Sequence, residues 1–282
     1  MIIPKQKDEE LLADIASANN AYLHIWWLGQ SGFLVKYAET TLLFDPYLSD
    51  SLTEKYAGTD KPHVRMTERV IAPERLGFAS IVTSSHVHTD HLDHGTLLPL
   101  RETNPSIRLI LPRAIKESAI GRLGDWGKDF HWVNAGDTVE DSGTRVRVIP
   151  AAHNALKEDE AGNHYFIGFV AEIGPWRIYH SGDTLLYDGI EQWIDGPVDV
   201  AILPINGNKP ERRVAGNLDG KEAALLAKRI GAQTVIPCHF DMFEFNTATP
   251  ELFEKSCREL DQNFCVMEAG ERLSLMNPEM VR

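Results

Sequence analysis

Seven residues of metal-ligand type stand at the ends of apolar segments in this chain. Four of them fall in one stretch, Ser85-His86-Val87-His88-Thr89-Asp90-His91-Leu92-Asp93-His94, which holds four of the eleven histidines. In an extended segment, residues two apart point to the same side. His86 and His88 can therefore reach one metal ion together. Asp90 and His91 lie past the turn and suit a second ion. Neutral imidazole binds Zn, Fe or Mn, and a carboxylate suits harder ions or a shared position. Crowding three imidazoles and a carboxylate into six residues, His86 to His91, is costly unless a cation holds them. The competing reading is a His-rich surface loop, and further ligands at other strand ends decide between the two.

Three such residues exist. His153 follows the apolar run 145–152. Asp183 follows Arg177-Ile178-Tyr179 through His180, Ser181 and Gly182, and a glycine there lets the chain turn sharply. His239 ends the run 233–238. Each could face a common cleft, because ligands in α/β folds bind beyond the carboxyl ends of strands. Asp45 also ends an apolar strand and is assigned as a buried carboxylate that orients a metal-site histidine.

The elements that must position these residues are legible from periodicity and turn chemistry. Residues 8–19 read as an N-terminal helix with early acidic residues, which suits the helix dipole. Residues 1–20 are treated as a helical extension. Residues 22–28, 33–37 and 41–44 read as antiparallel strands joined by tight turns. Residues 48–73 read as a long excursion near the site mouth, with His63 as a solvated loop residue. Strands are expected at 79–83, 107–111, 130–133, 138–139 and 145–152. Further strands are expected at 165–171, 177–179, 198–204 and 233–239, with terminal strands at 264–266 and 273–275. Helices are expected over 95–100, 112–123, 219–230 and 250–260. The resulting expectation is α/β (α+β): two sheets of mostly antiparallel strands, one per half, packed as an αββα four-layer sandwich in a single domain 1–282.

Composition narrows the function. The formal charge is −13, which disfavours nucleic acid or an anionic membrane as partner, since both need a basic face. No apolar run is long enough to span a bilayer, and the N-terminus has no signal-peptide core. A cytoplasmic protein is the expectation. The three cysteines form no CxxC pair, and Cys238 reads as an inert buried thiol. The N-terminal helix and six tryptophans leave room for a homo-oligomer contact.

The order His86-x-His88-x-Asp90-His91, then His153, Asp183 and His239, resembles the metallo-β-lactamase-fold hydrolases over nearly the whole chain. More narrowly, Ile25-Trp26-Trp27-Leu28-Gly29, Tyr179-His180-Ser181-Gly182-Asp183, 199–204 and 235–241 are similar to the branch containing L-ascorbate-6-phosphate lactonase. The resemblance implies two divalent ions, Zn2+ or Mn2+, with Fe also compatible. One ion would take His86, His88 and His153; the other would take Asp90, His91 and His239; Asp183 would bridge them. Asp90 and Asp183 would be catalytic, around a bridging hydroxide that opens a lactone or ester of a small anionic substrate, a sugar phosphate among them. Phosphodiester cleavage of a cyclic nucleotide or phospholipid head group is the second reading. A metal-binding protein without turnover is the third. Oxygen-reducing di-iron relatives carry Glu where this chain has His88.

Substrate contacts are assigned to the loop 206–219, with Asn206, Asn208, Lys209, Arg212 and Arg213 as candidates, because Arg forks match carboxylate or phosphate oxygens. Asn217 and Asp219 could equally cap the helix that follows. His180 either lines the site or packs within its strand.

Overall fold

The computed structural model describes residues 1–213 and 216–276, and within it the Arg212 side chain lies outside the described set. The first sheet has seven strands in the order β13-β1-β2-β3-β4-β5-β6. These are β1 (Tyr22–Gly29), β2 (Gly32–Tyr37), β3 (Thr40–Phe44), β4 (Ile81–Thr83), β5 (Arg108–Pro112), β6 (Phe130–Val133) and β13 (Arg272–Met276). The second has six, in the order β12-β11-β10-β9-β8-β7. They are β7 (Thr138–Asp141), β8 (Thr144–Pro150), β9 (Ile167–Ile173), β10 (Trp176–His180), β11 (Val200–Pro204) and β12 (Thr234–Cys238).

Both sheets are mixed, which corrects the expectation of mostly antiparallel strands. β13-β1-β2-β3 and β7-β8-β9-β10 are antiparallel ladders. β3 to β6 and β10 to β12 run parallel. The physical reason is connection length. Tight turns join most of the antiparallel neighbours, whereas a parallel step needs a crossover of a dozen or more residues. Helices lie in these crossovers: α2 (Ser51–Lys55), α3 (His94–Thr103), α4 (Lys116–Leu123), α5 (Ile190–Ile194) and α6 (Gly220–Arg229). The halves also exchange an element, because β13 pairs with β1 in register Leu23 to Leu275. Residues 264–266 form no strand; Phe264 makes only an isolated bridge to Val235.

The strands of the first sheet are apolar on both faces, as expected for a sheet covered on both sides. Leu23, Ile25, Trp27, Phe33, Val35, Leu42 and Phe44 face the second sheet in the central core. Trp26, Leu28, Leu34, Leu43 and Val82 face outward onto α1 (Asp8–Ser17), α3 and α4 through Leu11, Ile15, Leu97, Leu100 and Ala119. On the second sheet α6 buries Ala223, Leu226 and Ala227. Its start is fixed by Asp219, which accepts from Lys221 N and Glu222 N while the Glu222 side chain accepts from Asp219 N. This capping box assigns the cap to Asp219 and not to Asn217. α7 (Glu251–Glu259) packs against α6. The result is an αββα sandwich, as the sequence pattern predicts. Among the described residues no helix is long and apolar enough to cross a membrane.

Candidate metal centre

Every ligand candidate sits just beyond the carboxyl end of a strand. His86, His88, Asp90 and His91 follow β4, His153 follows β8, Asp183 follows β10 and His239 follows β12. The two sheets are tied together at this edge, where Ile167 N donates to Ser85 O. Gly182 makes the approach of Asp183 feasible. Its φ is +58°, and a Cβ there would stand 2.7 Å from both Ile167 O and Ser85 Cβ. Left-handed backbone recurs around the site at Gln30 (φ 52°), Asp45 (φ 36°), Asn154 (φ 73°) and His239 (φ 63°). Such conformations cost energy in residues with a Cβ and gather where surrounding structure over-determines them.

The ligand atoms converge into three overlapping groups: His86 with His88 and His153, His86 with His91 and Asp183, and Asp90 with His91 and His239. Within each group the atoms lie within 4.8 Å of one another. Asp183 stands between the outer groups. Its Oδ2 is 3.7 Å from His153 Nε2 and 3.4 Å from His239 Nε2, and its Oδ1 is 3.4 Å from His91 Nε2. Asp90 Oδ2 is 3.5 Å from His239 Nε2 and 3.7 Å from His91 Nε2. His86 Nε2 lies 3.0 Å from His88 Nδ1.

Neighbours fix the rings. Asp45 is fully buried and takes His91 Nδ1 at 2.7 Å, Thr83 Oγ1 at 2.7 Å and the Ser85 backbone and hydroxyl. His86 Nδ1 rests 3.0 Å from Ser85 Oγ. His153 Nδ1 donates to Gly216 O at 2.9 Å. Gln30, at the tip of the β1–β2 turn, donates to Asp90 Oδ2 at 2.9 Å, and its backbone oxygen accepts from His239 N. A ring nitrogen held in this way leaves the opposite one as the lone pair for a cation.

The electrostatics divide the site in two. Burial opposes ionisation of Asp90 and Asp183, yet the histidines beside them, His91 for Asp90 and His239 for Asp183, hold both far below the usual carboxylate range. Burial likewise opposes charge on His239, but Asp183 and then Asp90 lift it to about 9. His91 is raised well above its ordinary value against burial, by Asp183 and Asp90. On the other side, burial and then His91 depress His86 strongly. Burial, and then His153, push His88 down to about 4, while one edge of the residue stays open to solvent.

The site opens into a cleft of about 240 Å3 lined by His88, Asp90, His153, Asp183 and His239 with Gln30, Lys55, Tyr56, Lys61, His63, Arg213, Asn217, Phe243 and Asn246. Several of these were not expected. His63 is buried at the cleft wall, stacked on Tyr56 and edge-on to Phe243, with Nδ1 held 2.8 Å from Lys61 O. Of the loop candidates whose side chains are described, only Arg213 lines this cleft, and it pairs with Asp60 at 2.7 Å. Asn206, Asn208 and Lys209 line a neighbouring cleft with Thr247 and Leu252, because the loop turns away from β11 toward the start of α7. His180 is 1% exposed, stacks on Phe44 at 4.8 Å and donates to Ser31 O at 2.9 Å. It packs the sheets together and does not face the cleft. Cys238 is buried, and burial raises its thiol.

Comparison with known proteins sets the class. A family model described as a beta-lactamase superfamily domain matches residues 24–239, a span that begins in β1 and closes on His239. Fold and match together define a metal-dependent hydrolase of the metallo-β-lactamase superfamily. The chain is 30% identical over 243 residues to a UPF0173 metal-dependent hydrolase of Alkaliphilus metalliredigens, covering 84% of this chain and 93% of that one. It is 28% identical over 264 residues to the UPF0173 protein of Methanoregula boonei, covering 90% and 98%. This chain belongs to the UPF0173 metal-dependent hydrolase family. Igni18, a metallo hydrolase from Ignicoccus hospitalis, shares the fold with a TM-score of 0.65 at 21% identity, over 90% of this chain and 98% of that one.

Proposed function

We propose that this protein holds two divalent ions, Zn2+ or Mn2+, and opens a lactone or ester of a small anionic substrate, with sugar phosphates in the candidate class. The observation that carries the reading is the position of Asp183, whose two oxygens face His91 on one side and His153 and His239 on the other. The residues fit such ions. Among the described residues Asp183 Oδ1 and His91 Nε2 are both buried without a hydrogen-bond partner, and the donor set of imidazole and carboxylate is the one that borderline divalent metals take. His86, His88 and His153 would hold one ion, Asp90, His91 and His239 the other, with Asp183 shared.

Bound there, divalent ions supply Lewis acidity and lower the pKa of water toward about 7. The chain does the rest. Asp90 and Asp183 stay ionised at neutral pH, and Asp90 can orient the attacking water by accepting its hydrogen bond. Gln30 holds Asp90 by one oxygen. Lys55 and Lys61 line the cleft, and among the described residues neither pairs with a carboxylate. In a chain of charge −13, two such cations at one mouth support an anionic substrate. Lys209 of the sequence-based expectation lines the neighbouring cleft instead, and the Arg212 side chain lies outside the described residues.

A side-by-side panel of lactones, carboxylic esters and chromogenic phosphodiesters on the metal-loaded protein tests this reading. Turnover of lactones or esters that disappears in Asp183→Ala is expected. Turnover confined to phosphodiesters would overturn it in favour of the second reading.

A further inference from the structure

Asn217 is completely buried, yet it lines the cleft over the metal ligands. Among the described residues its side-chain oxygen, Oδ1, has no hydrogen-bond partner. Buried polar groups are nearly always paired, so a preformed orphan acceptor in a ligand cleft points to the ligand.

The surrounding contacts keep this oxygen in place. The segment 216–218 is stitched to the neighbours of two ligands: Gly216 O accepts from His153 Nδ1 at 2.9 Å, and Leu218 N donates to Thr184 O at 2.8 Å. Asn217 N donates to Gly207 O at 3.1 Å. The side chain is also oriented. Asn217 Nδ2 donates to Asn206 Oδ1 at 3.0 Å, and Asn206 Nδ2 donates to Asn246 Oδ1 at 3.1 Å. This relay of amides fixes which end of Asn217 is the acceptor. Gln30 Oε1 is also unpaired, but its amide nitrogen is committed to Asp90, which places Gln30 with the ligands.

We infer that Asn217 is a specificity-determining residue that accepts a hydrogen bond from a hydroxyl or N–H group of the substrate. The inference rests on the hydrolase reading for where the substrate lies, and it deepens that reading by giving the anionic substrate a donor. A site built to hydrogen-bond a donor discriminates strongly against the analogue that lacks it, because the site's own polar group is then left unpaired. Asn206 thereby acquires a role different from direct contact: it holds Asn217 from behind.

Binding, not turnover, tests this. Two near-isosteric pairs serve as probes: 4-hydroxybutanoate against pentanoate for a hydroxyl donor, and N-acetylglycine against 4-oxopentanoate for an N–H donor. Dissociation constants are measured by ligand-observed NMR on the metal-loaded full-length protein. In the parent, the donor-bearing member of at least one pair binds roughly fivefold or more tighter, and the pair that shows the preference identifies the donor. Asn217→Ala abolishes that preference at unchanged metal content. Asn217→Asp, which keeps an acceptor, weakens both members but retains the ratio, and it covers the case in which the alanine variant does not fold. Equal affinities within both pairs in the parent would mean that water satisfies Oδ1, and would overturn the inference. So would a preference that survives in Asn217→Ala. An enzyme inactive on every lactone and ester would leave these binding ratios standing, so failure of the two readings is separable.

Discussion

Asp45 Oδ2 takes His91 Nδ1 at 2.7 Å, with both side chains wholly buried. The carboxylate sits at the end of β3 and the imidazole in the turn after β4, so two parallel neighbouring strands supply one oriented ligand. Removing such a partner commonly costs about 10- to 100-fold in metal affinity. Asp45→Ala is expected to lose metal from the group containing Asp90, His91 and His239 first, while the His86 group keeps its ion. Metal titration against a chromophoric chelator checks this, and equal affinity in parent and variant would refute it.

The imidazoles predict a stability optimum for metal-free protein. His239 has its pKa lifted from 6.5 to about 9, so its contribution is complete below pH 6.5 and is lost as pH rises through about 9. His88 is depressed from 6.5 to about 4. Its contribution is complete above pH 6.5 and is lost as pH falls through about 4. Both are present together only near pH 6.5, where the Tm of the metal-free protein is expected to peak. A saturating divalent ion should flatten the alkaline limb, because it replaces the protons on His91 and His239. Calorimetry in two buffers of different ionisation enthalpy should accordingly detect proton release on metal binding at neutral pH. A Tm that climbs steadily to pH 9 without metal would contradict this account.

Lys55 donates to Thr89 Oγ1 at 3.1 Å from the cleft rim. Lys55→Met is expected to raise KM for anionic substrates roughly 3- to 10-fold with kcat nearly unchanged, since an exposed charge contributes about 1 kcal/mol. The effect should shrink with added salt. Steady-state kinetics at two ionic strengths reads it, and a fall in kcat at constant KM would place Lys55 elsewhere in the reaction.

Arg122 on α4 donates through one nitrogen to Val87 O at 2.9 Å and to Leu92 O at 2.8 Å, clasping both ends of the turn that carries His88, Asp90 and His91. Arg122→Met leaves two carbonyls without this donor, and about 1–3 kcal/mol of stability should be lost. Chemical denaturation at fixed metal content measures it. An unchanged midpoint would show that the turn holds without the clasp.

What the sequence makes legible depends on how local the cause is. His86, His88, Asp90 and His91 share one turn, and His153, Asp183 and His239 each follow a strand rich in buried apolar residues. Local periodicity therefore suffices to place them at one edge. The β1–β2–β3 meander, the amphipathic α6 and the buried Asp45 follow from the same local signals. The cleft wall does not. His63, Lys55 and Lys61 lie on an aperiodic excursion, and their approach to Phe243 and Arg213 is set by long-range packing. The loop 206–219 looks like a substrate loop because Lys209, Arg212 and Arg213 cluster after β11, yet its first residues carry Asn206, Asn208 and Lys209 into the adjoining cleft. His180 has the sequence setting of a site residue, but its ring fills the space between Phe44 and Ser31. Asn217 and Asp219 read equally as caps of the helix that follows; Asp219 takes that role and frees Asn217 for the cleft.

The central claim is that these seven side chains hold a pair of ions with Asp183 between them. Elemental analysis of protein purified without chelator, for the parent and for Asp183→Ala, tests it most directly. The account predicts about two divalent ions per chain in the parent, as in two-metal hydrolytic sites, and a clear loss of metal in a variant that keeps the parent's circular dichroism. A parent that takes up no ion after incubation with Zn2+ or Mn2+, or a folded Asp183→Ala variant with undiminished metal content, would contradict it.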